Sequence, residues 1–433
     1  MGMLKQASSA IRAAAAGSSR RAAYDALLRW EKSGAFADSI VERRIRPALQ
    51  GADADLAVEI FYGAIRWRAR LDFVVDHSTF QVKDLTLRCL LRCGLYQLLF
   101  LDRVPEYAAV NETVALAPAG LRSLANAFLR SFLRERKIWL QRLESCRTEK
   151  PGVFYSHPAW LIHRWERAFG KDRTRRLLDW NNTIPGVFVR TNTLKSSPEQ
   201  LKRALQEHRP KAAPHPLAFR IESAGGLFAG DAYRHGWFYA QDPSTLKAVE
   251  LLDPRPGETV LDPCAAPGGK ATYIAQRMGD HGRVVASDLD PERLCLLEEN
   301  QRRLGCGSIE IVRTNPLLKT TEAFDRILLD VPCSNTGVLR RRVDLRWKIQ
   351  REEIRSLAGE QLRLGVQFSR RLKPGGVLVY STCSLEPEEN EQIAERLCKE
   401  VPALKLEETW SSFPPESGMD GAFAAKFKMK SSK

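Results

Sequence analysis

The 433-residue sequence predicts a multidomain chain: an all-α bundle, a small α+β unit and a C-terminal α/β domain built on a parallel sheet. Three observations carry this. The length exceeds what one ordinary core organises, so two or three domains are expected. Apolar residues recur at helical spacing through the first third. From Asp242 onward, short apolar runs alternate with amphipathic stretches, the pattern of strands joined by helical crossovers.

The elements follow in order. Residues 1–20 are basic and rich in Ala and Ser, and read as a disordered tail; the Ala13–Gly17 stretch is too short and weakly apolar for a signal-peptide core. Residues 21–145 read as the bundle: Tyr24, Leu27 and Leu28, then Leu56, Ile60 and Ala64, then Leu87, Leu90, Leu91, Leu95 and Leu98 fall on helical stripes. Arg66, Arg68, Arg70, Arg130, Arg134 and Arg136 punctuate it, either as a solvated face or as an RNA-contacting one. Residues 150–240 read as the small α+β unit, with a helix over 160–178, strands at 186–192, 218–221 and 237–239, and a helix over 201–208. Residues 241–433 form the α/β domain, with strands at 259–261, 284–287, 309–312, 326–329 and 377–380 and helices over 270–278, 291–304, 352–372 and 388–398. Ligands on such sheets bind beyond the carboxyl ends of the strands.

Charge and cysteine usage narrow the classes. Lys and Arg number 67 against 52 Asp and Glu, a formal net charge of +15, which favours a polyanionic partner, nucleic acid first. No apolar run is long enough to span a bilayer, so no membrane partner is expected. Nine scattered cysteines with no CxxC pair argue against a disulfide framework or a structural metal site and for a reducing cytoplasm. Cys89 and Cys93 lie in an apolar helical run and read as core residues. The seven histidines form no triad or metal pattern. A monomer is expected.

Three motifs sit at expected strand ends. In Asp262-Pro263-Cys264-Ala265-Ala266-Pro267-Gly268-Gly269-Lys270, the glycines allow close approach of backbone to a ligand, and the next helix offers free N–H groups. Cys264 and Ala271 break a P-loop, and no GxGxxG is present. Asp288 closes the next strand, about twenty residues beyond the glycine turn, where a carboxylate can accept from two ribose hydroxyls. A ribose-bearing cofactor with a small anionic group and no pyrophosphate suits the loop, and S-adenosylmethionine has both. The other motifs carry Cys333 (Asp330-Val331-Pro332-Cys333) and Cys383 (Ser381-Thr382-Cys383-Ser384). Two thiols at neighbouring strand ends suit covalent chemistry on a pyrimidine: a thiolate adds to C6, and C5 becomes nucleophilic. Asp330, if it carries a proton, can hold N3 of the ring, and Lys270 can lower a cysteine pKa or bind substrate. Arg340-Arg341-Arg342 reads as a phosphate contact flanking the site, and Trp347 as a packing residue.

These motifs, with Ser334-Asn335-Thr336-Gly337 and Asp420-Gly421-Ala422-Phe423, resemble those of RNA (cytosine-5)-methyltransferases. Arg190-Thr191-Asn192-Thr193-Leu194-Lys195 and Gln241-Asp242-Pro243-Ser244 echo that family's small N-terminal unit. Val110-Asn111-Glu112 and Ala125-Asn126-Ala127-Phe128-Leu129-Arg130 resemble a NusB-like RNA-binding bundle. The combination is similar to the RsmB/Sun (Fmu) branch, which methylates small-subunit ribosomal RNA. The resemblance implies a Rossmann-like class I methyltransferase domain, Cys383 as nucleophile and Cys333 as the residue that assists product release. It also implies cofactor contacts at Cys264, Ala265, Ala266, Pro267, Gly268, Gly269, Lys270, Asp288, Asn315 and Asp330. Asn315 stands where the family usually has an aspartate, which keeps a carbonyl acceptor but loses the charge. Two rival readings stay open: the same chemistry on transfer RNA or another nucleic acid, and a non-catalytic RNA-binding assembly or transcription factor.

Overall fold

The computed structural model describes residues 19–313 and 322–431. Asn315 and its neighbours Thr314 and Pro316 lie outside the described residues, as do residues 1–18 of the expected tail. The chain divides into two compact units. One comprises residues up to Thr183 together with Leu339–Lys348; the other comprises Ile184–Val338 and Ile349 onward.

The first unit is helical. Ser19 and Arg20, read from sequence as tail, belong to its first helix, where Arg20 Nε donates to Gln97 Oε1 at 2.6 Å. The central helix, Leu85–Phe100, starts at Asp84, whose side chain accepts from Leu87 N. Leu87, Leu90, Leu91, Leu95 and both cysteines, Cys89 and Cys93, are buried in its core. Arg92 lies buried among them because its guanidinium is met on two sides, by Asp72 at 2.7 Å and Glu31 at 2.5 Å. The expected surface row of arginines is not uniform. Arg66 is buried, Arg68 stacks over Trp30 and Trp347, and Arg70 lies over Phe154.

The helix expected over 160–178 is two helices, Ala159–Phe169 and Lys171–Asn181, broken at Gly170, whose φ of +79° leaves the helical region. Both group by compactness with the helical unit, which runs to Thr183. Leu339–Lys348, which follows the Cys333 motif, also packs there. Arg346 is fully buried and donates to the carbonyls of Asn181, Leu339 and Ser156 and to Asn182 Oδ1 at 2.7 Å. Trp347 packs against the core, and its Nε1 donates to Ile65 O. Arg340 stacks on Trp180 at 4.0 Å, and Arg342 lies 3.7 Å from Asp38. Arg340 is buried against the ring, which corrects the phosphate-contact expectation for it, while Arg342 stays partly exposed.

Among the described residues, the second unit holds two sheets. The small one has strand order β2-β3-β1-β4, from β1 (Val187–Thr191), β2 (Pro210–Ala212), β3 (Ala218–Ile221) and β4 (Phe238–Ala240), with antiparallel pairings. The large one contains β5 (Thr259–Asp262), β6 (Arg283–Ala286), β7 (Ile309–Ile311), β8 (Phe324–Asp330), β9 (Leu372–Thr382), β10 (Leu404–Ser412) and β11 (Ala422–Met429). Its order is β10-β11-β9-β8-β5-β6-β7. β5 to β9 pair in parallel, as the strand–helix alternation predicts. The sheet is not wholly parallel: β11 and β10 add an antiparallel edge. β10 and β11 are joined only through the four-residue helix Pro414–Ser417, too short to read as a crossover, so the alternation rule is silent about this return. The expected three-part fold class is otherwise met, with helices covering a Rossmann-like sheet.

Candidate active site

The strand order reverses at β5, with β6 on one side and β8 on the other, which makes the carboxyl ends of β5, β6, β8 and β9 a binding crevice. All three motifs end there.

The loop after β5 turns at Gly268 into the helix Gly269–Arg277. Gly268 has φ +108°, a conformation that L side chains rarely adopt, and a Cβ there would sit 2.7 Å from Leu297 Cδ1, which would have to move. Asp288 ties this loop to the end of β6. Its Oδ2 accepts from Ala266 N at 3.2 Å, and its Oδ1 accepts from Asp290 N at 3.1 Å. Arg293 reaches the Ala266 carbonyl and lies 3.5 Å from Asp288.

Asp262, the last residue of β5, is fully buried. Its Oδ1 accepts from Cys264 N at 3.3 Å, while Oδ2 has no partner among the described residues. Burial, with the nearby Asp330 carboxylate, pushes this carboxyl up from 3.8 to about 8 against the pull of Lys270. The folded chain thus holds a proton that the unfolded chain releases in the ordinary aspartate range. The stability tied to that proton is complete at acid pH and drains as pH rises through 8. Between pH 7 and pH 9 the loss is about 1 kcal/mol. Asp262→Asn cannot ionise and is expected to flatten this decline, read from thermal melts at pH 7, 8 and 9. Parallel curves for the two proteins would refute the assignment.

Lys270 and Asp330 form an ion pair at 2.6 Å. The other Asp330 oxygen accepts from Ser381 Oγ at 2.9 Å, which links the ends of β8 and β9. Burial opposes the Lys270 charge, but Asp330, then Cys383 and Asp262, raise its pKa on balance. Asp330 therefore serves as an acceptor on both oxygens, and the proton next to it resides on Lys270.

The two cysteines meet, with Cys333 Sγ 3.3 Å from Cys383 Sγ. Hydrogen bonding to Cys383, together with burial, pushes the Cys333 thiol well above its ordinary value. Cys333 thus keeps its proton and can offer it to the Cys383 sulfur.

The loops bearing the sulfurs are stitched by residues the sequence reading passed over. Glu389 accepts from Ser334 N at 2.8 Å, Gln361 Nε2 at 3.0 Å, Ser384 Oγ at 2.5 Å and Ser334 Oγ. Asn390 clasps the residues flanking Cys383: its Oδ1 accepts from Thr382 Oγ1 at 2.6 Å, and its Nδ2 donates to Ser384 O at 2.9 Å. Gly337 N donates to Cys383 O, and Gly421 N donates to Gly337 O, both at 2.9 Å. A Cβ on Gly337 would meet the Gly421 and Cys383 carbonyls at 2.5 and 2.7 Å. Asn335 was quoted within its motif without a role, yet its side chain touches Cys383. Ser334, Asn335, Thr382 and Ser384 are polar residues within two positions of a strand-end cysteine; Glu389, Asn390 and Gln361 carry no such local signal.

The structure thus brings together Cys383, Cys333, Lys270 and Asp330, and places Cys264 to Gly269 and Asp288 along the adjoining loops. No group of side chains suited to a metal ion occurs among the described residues.

Residues 249–428 match the model of the 16S rRNA methyltransferase RsmB/F family, residues 17–134 that of the NusB family, and residues 157–225 that of the RsmF/B-like ferredoxin-like domain. A probable ribosomal RNA small subunit methyltransferase B from Synechocystis is 35% identical over 415 residues, covering 92% of each chain. The Ribosomal RNA small subunit methyltransferase B of Erwinia tasmaniensis is 36% identical over 395 residues, covering 86% of this chain and 90% of its own. Among solved structures, PH0851 superposes with a TM-score of 0.77 at 24% identity over 95% of this chain and 98% of its own. A methyltransferase homolog from Pyrococcus horikoshii gives 0.57 at 27% identity over 64% of this chain and 97% of its own. With relatives of this identity matched along nearly its whole length, the chain belongs to the ribosomal RNA small subunit methyltransferase B family.

Proposed function

We propose that this chain transfers a methyl group from S-adenosylmethionine to C5 of a cytosine in small-subunit ribosomal RNA, through a transient bond between Cys383 and C6 of the base. The observation that carries the reading is the pair of sulfurs 3.3 Å apart beside the Lys270–Asp330 ion pair. The family and the names of its relatives supply the substrate class, and the net charge of +15 suits RNA.

The residues fit the cofactor. The Gly268 turn lets backbone approach a ligand, Asp288 closes the neighbouring strand, and the unpartnered Asp262 Oδ2 is a buried polar atom at the loop's base. Cys264 to Lys270, Asp288 and Asp330 would hold it; when bound, it supplies an electrophilic methyl group.

The protein's own residues do the rest. Cys383 adds to C6 as its thiolate, and the electron pair moves toward N3 and O2 of the ring. Lys270, held by Asp330, meets that charge as cation and proton donor. C5 is then the nucleophilic carbon. The C5 proton passes to solvent water, its electron pair re-forms the C5–C6 double bond, and the C6–S pair leaves with the Cys383 sulfur as thiolate. Cys333, which retains its proton, returns hydrogen bonding to the departing sulfur and so assists release. The base must leave its stack for a thiol to reach C6, so a loop or single-stranded site is expected.

Bisulfite sequencing of ribosomal RNA from cells with and without this protein tests the reading. One protected cytosine in the small-subunit RNA should become convertible when the protein is removed; an unchanged map would refute it.

A further inference from the structure

We infer that Asn335 is a catalytic residue of this chain: its side-chain carbonyl caps the Cys383 thiol and sets how readily that sulfur becomes nucleophilic. The inference rests on the proposed role of Cys383, and it adds a residue that the motif reading left without one.

The orientation of the amide follows from its partners. Asn335 Nδ2 lies 2.6 Å from the Cys333 carbonyl, which can only accept, so the NH2 end must face it. That turns Oδ1 toward Cys383 Sγ at 3.0 Å. A carbonyl oxygen can only accept as well, so the Cys383 sulfur must donate its proton. The Cys333 thiol, 3.3 Å away, is then left to donate to the Cys383 sulfur, giving a directed chain from Cys333 to Cys383 to Asn335. An acceptor on S–H favours the neutral thiol, and the same oxygen repels the thiolate. Asn335 thus opposes Lys270, whose ammonium favours the charged sulfur. The other titratable groups facing this pair of sulfurs are Asp330 and Asp262 around Lys270, and Glu389 and Tyr380 around Cys333. For catalysis the S–H bond must break and the sulfur must turn from the amide toward the ring.

The backbone makes a clean test available. Asn335 has φ +58°, a conformation that Asn, Asp and Gly tolerate and other residues resist. Asn335→Gly removes the cap with the turn preserved, and Asn335→Asp offers an anionic acceptor while giving up the NH2 donated to the Cys333 carbonyl. The measurement is the rate of Cys383 alkylation by iodoacetamide across pH 6 to 9 in the full chain, resolved by peptide mass. In that reaction the thiolate displaces iodide and forms an S–C bond, its proton having gone to buffer. At pH 7.5 the glycine variant is expected to react about tenfold faster than the parent and the aspartate variant about tenfold slower. Calorimetry with S-adenosylmethionine reports whether each variant remains folded. Equal profiles for the three proteins, or the reverse order, would overturn the inference. The readout uses neither RNA nor methyl transfer, so its failure is separable from failure of the cytosine reading.

Discussion

Cys383→Ala is expected to abolish methyl transfer, lowering the rate by at least about a thousandfold, while Cys333→Ala leaves a covalent RNA–protein complex that survives denaturation. The asymmetry comes from the pairing of the sulfurs. Cys383 borders the Lys270 ammonium, whereas the Cys333 proton is held by its bond to Cys383 and by burial. The first sulfur is thus placed to attack and the second to deliver hydrogen bonding to a leaving thiolate. Without Cys333 the adduct forms but is released slowly. A denaturing gel with labelled RNA, run beside an assay of labelled methyl transfer, reads both effects. If Cys333→Ala removes adduct formation and Cys383→Ala does not, the roles are reversed.

Glu389→Ala is expected to cost the second unit about 3–5 kcal/mol, the range for a buried charged hydrogen-bond hub that loses its centre. The carboxylate is fully buried and collects donors from the Cys333 loop, the Cys383 loop and the helix Arg351–Ser369. Removing it leaves these donors without their common acceptor. Burial raises the Glu389 pKa against the pull of its donors, so the group is sensitive to what surrounds it. Glu389→Gln keeps one acceptor but turns an NH2 toward at least one donor, and should cost roughly 1–3 kcal/mol. Denaturant unfolding of both variants checks the ranking. Equal stability of the alanine variant and the parent would contradict the network.

Much of this site was legible because its residues lie at the ends of strands with strong local signals. Ile327–Leu328–Leu329 and Val377–Leu378–Val379–Tyr380 are continuous apolar runs, and the residues just past them had to reach the crevice of a parallel sheet. What was not legible depends on contacts between distant segments. Glu389 and Asn390 read as the start of a helix over 388–398, but the helix begins at Glu391 and the two side chains turn back onto the cysteine loops. The titration of Asp262 follows from burial beneath Asp330, which no local pattern reveals. Leu339–Lys348 reads as a basic loop beside the site; it packs with segments 190 to 307 residues earlier in sequence through Arg346, Trp347 and Asp344. Periodicity reports one element at a time, and a buried arginine capped by carbonyls looks in sequence like any solvated one.

The central claim is a transient bond from the Cys383 sulfur to a cytosine ring. RNA carrying 5-fluorocytosine tests it most directly, because fluorine cannot leave C5 as a proton does and the adduct is held. The complex formed with the unaltered protein should yield, after digestion, a single nucleotide-bearing peptide modified at Cys383 and carrying one added methyl group. A nucleotide on Cys333, or methylated RNA with no protein adduct, would contradict the account.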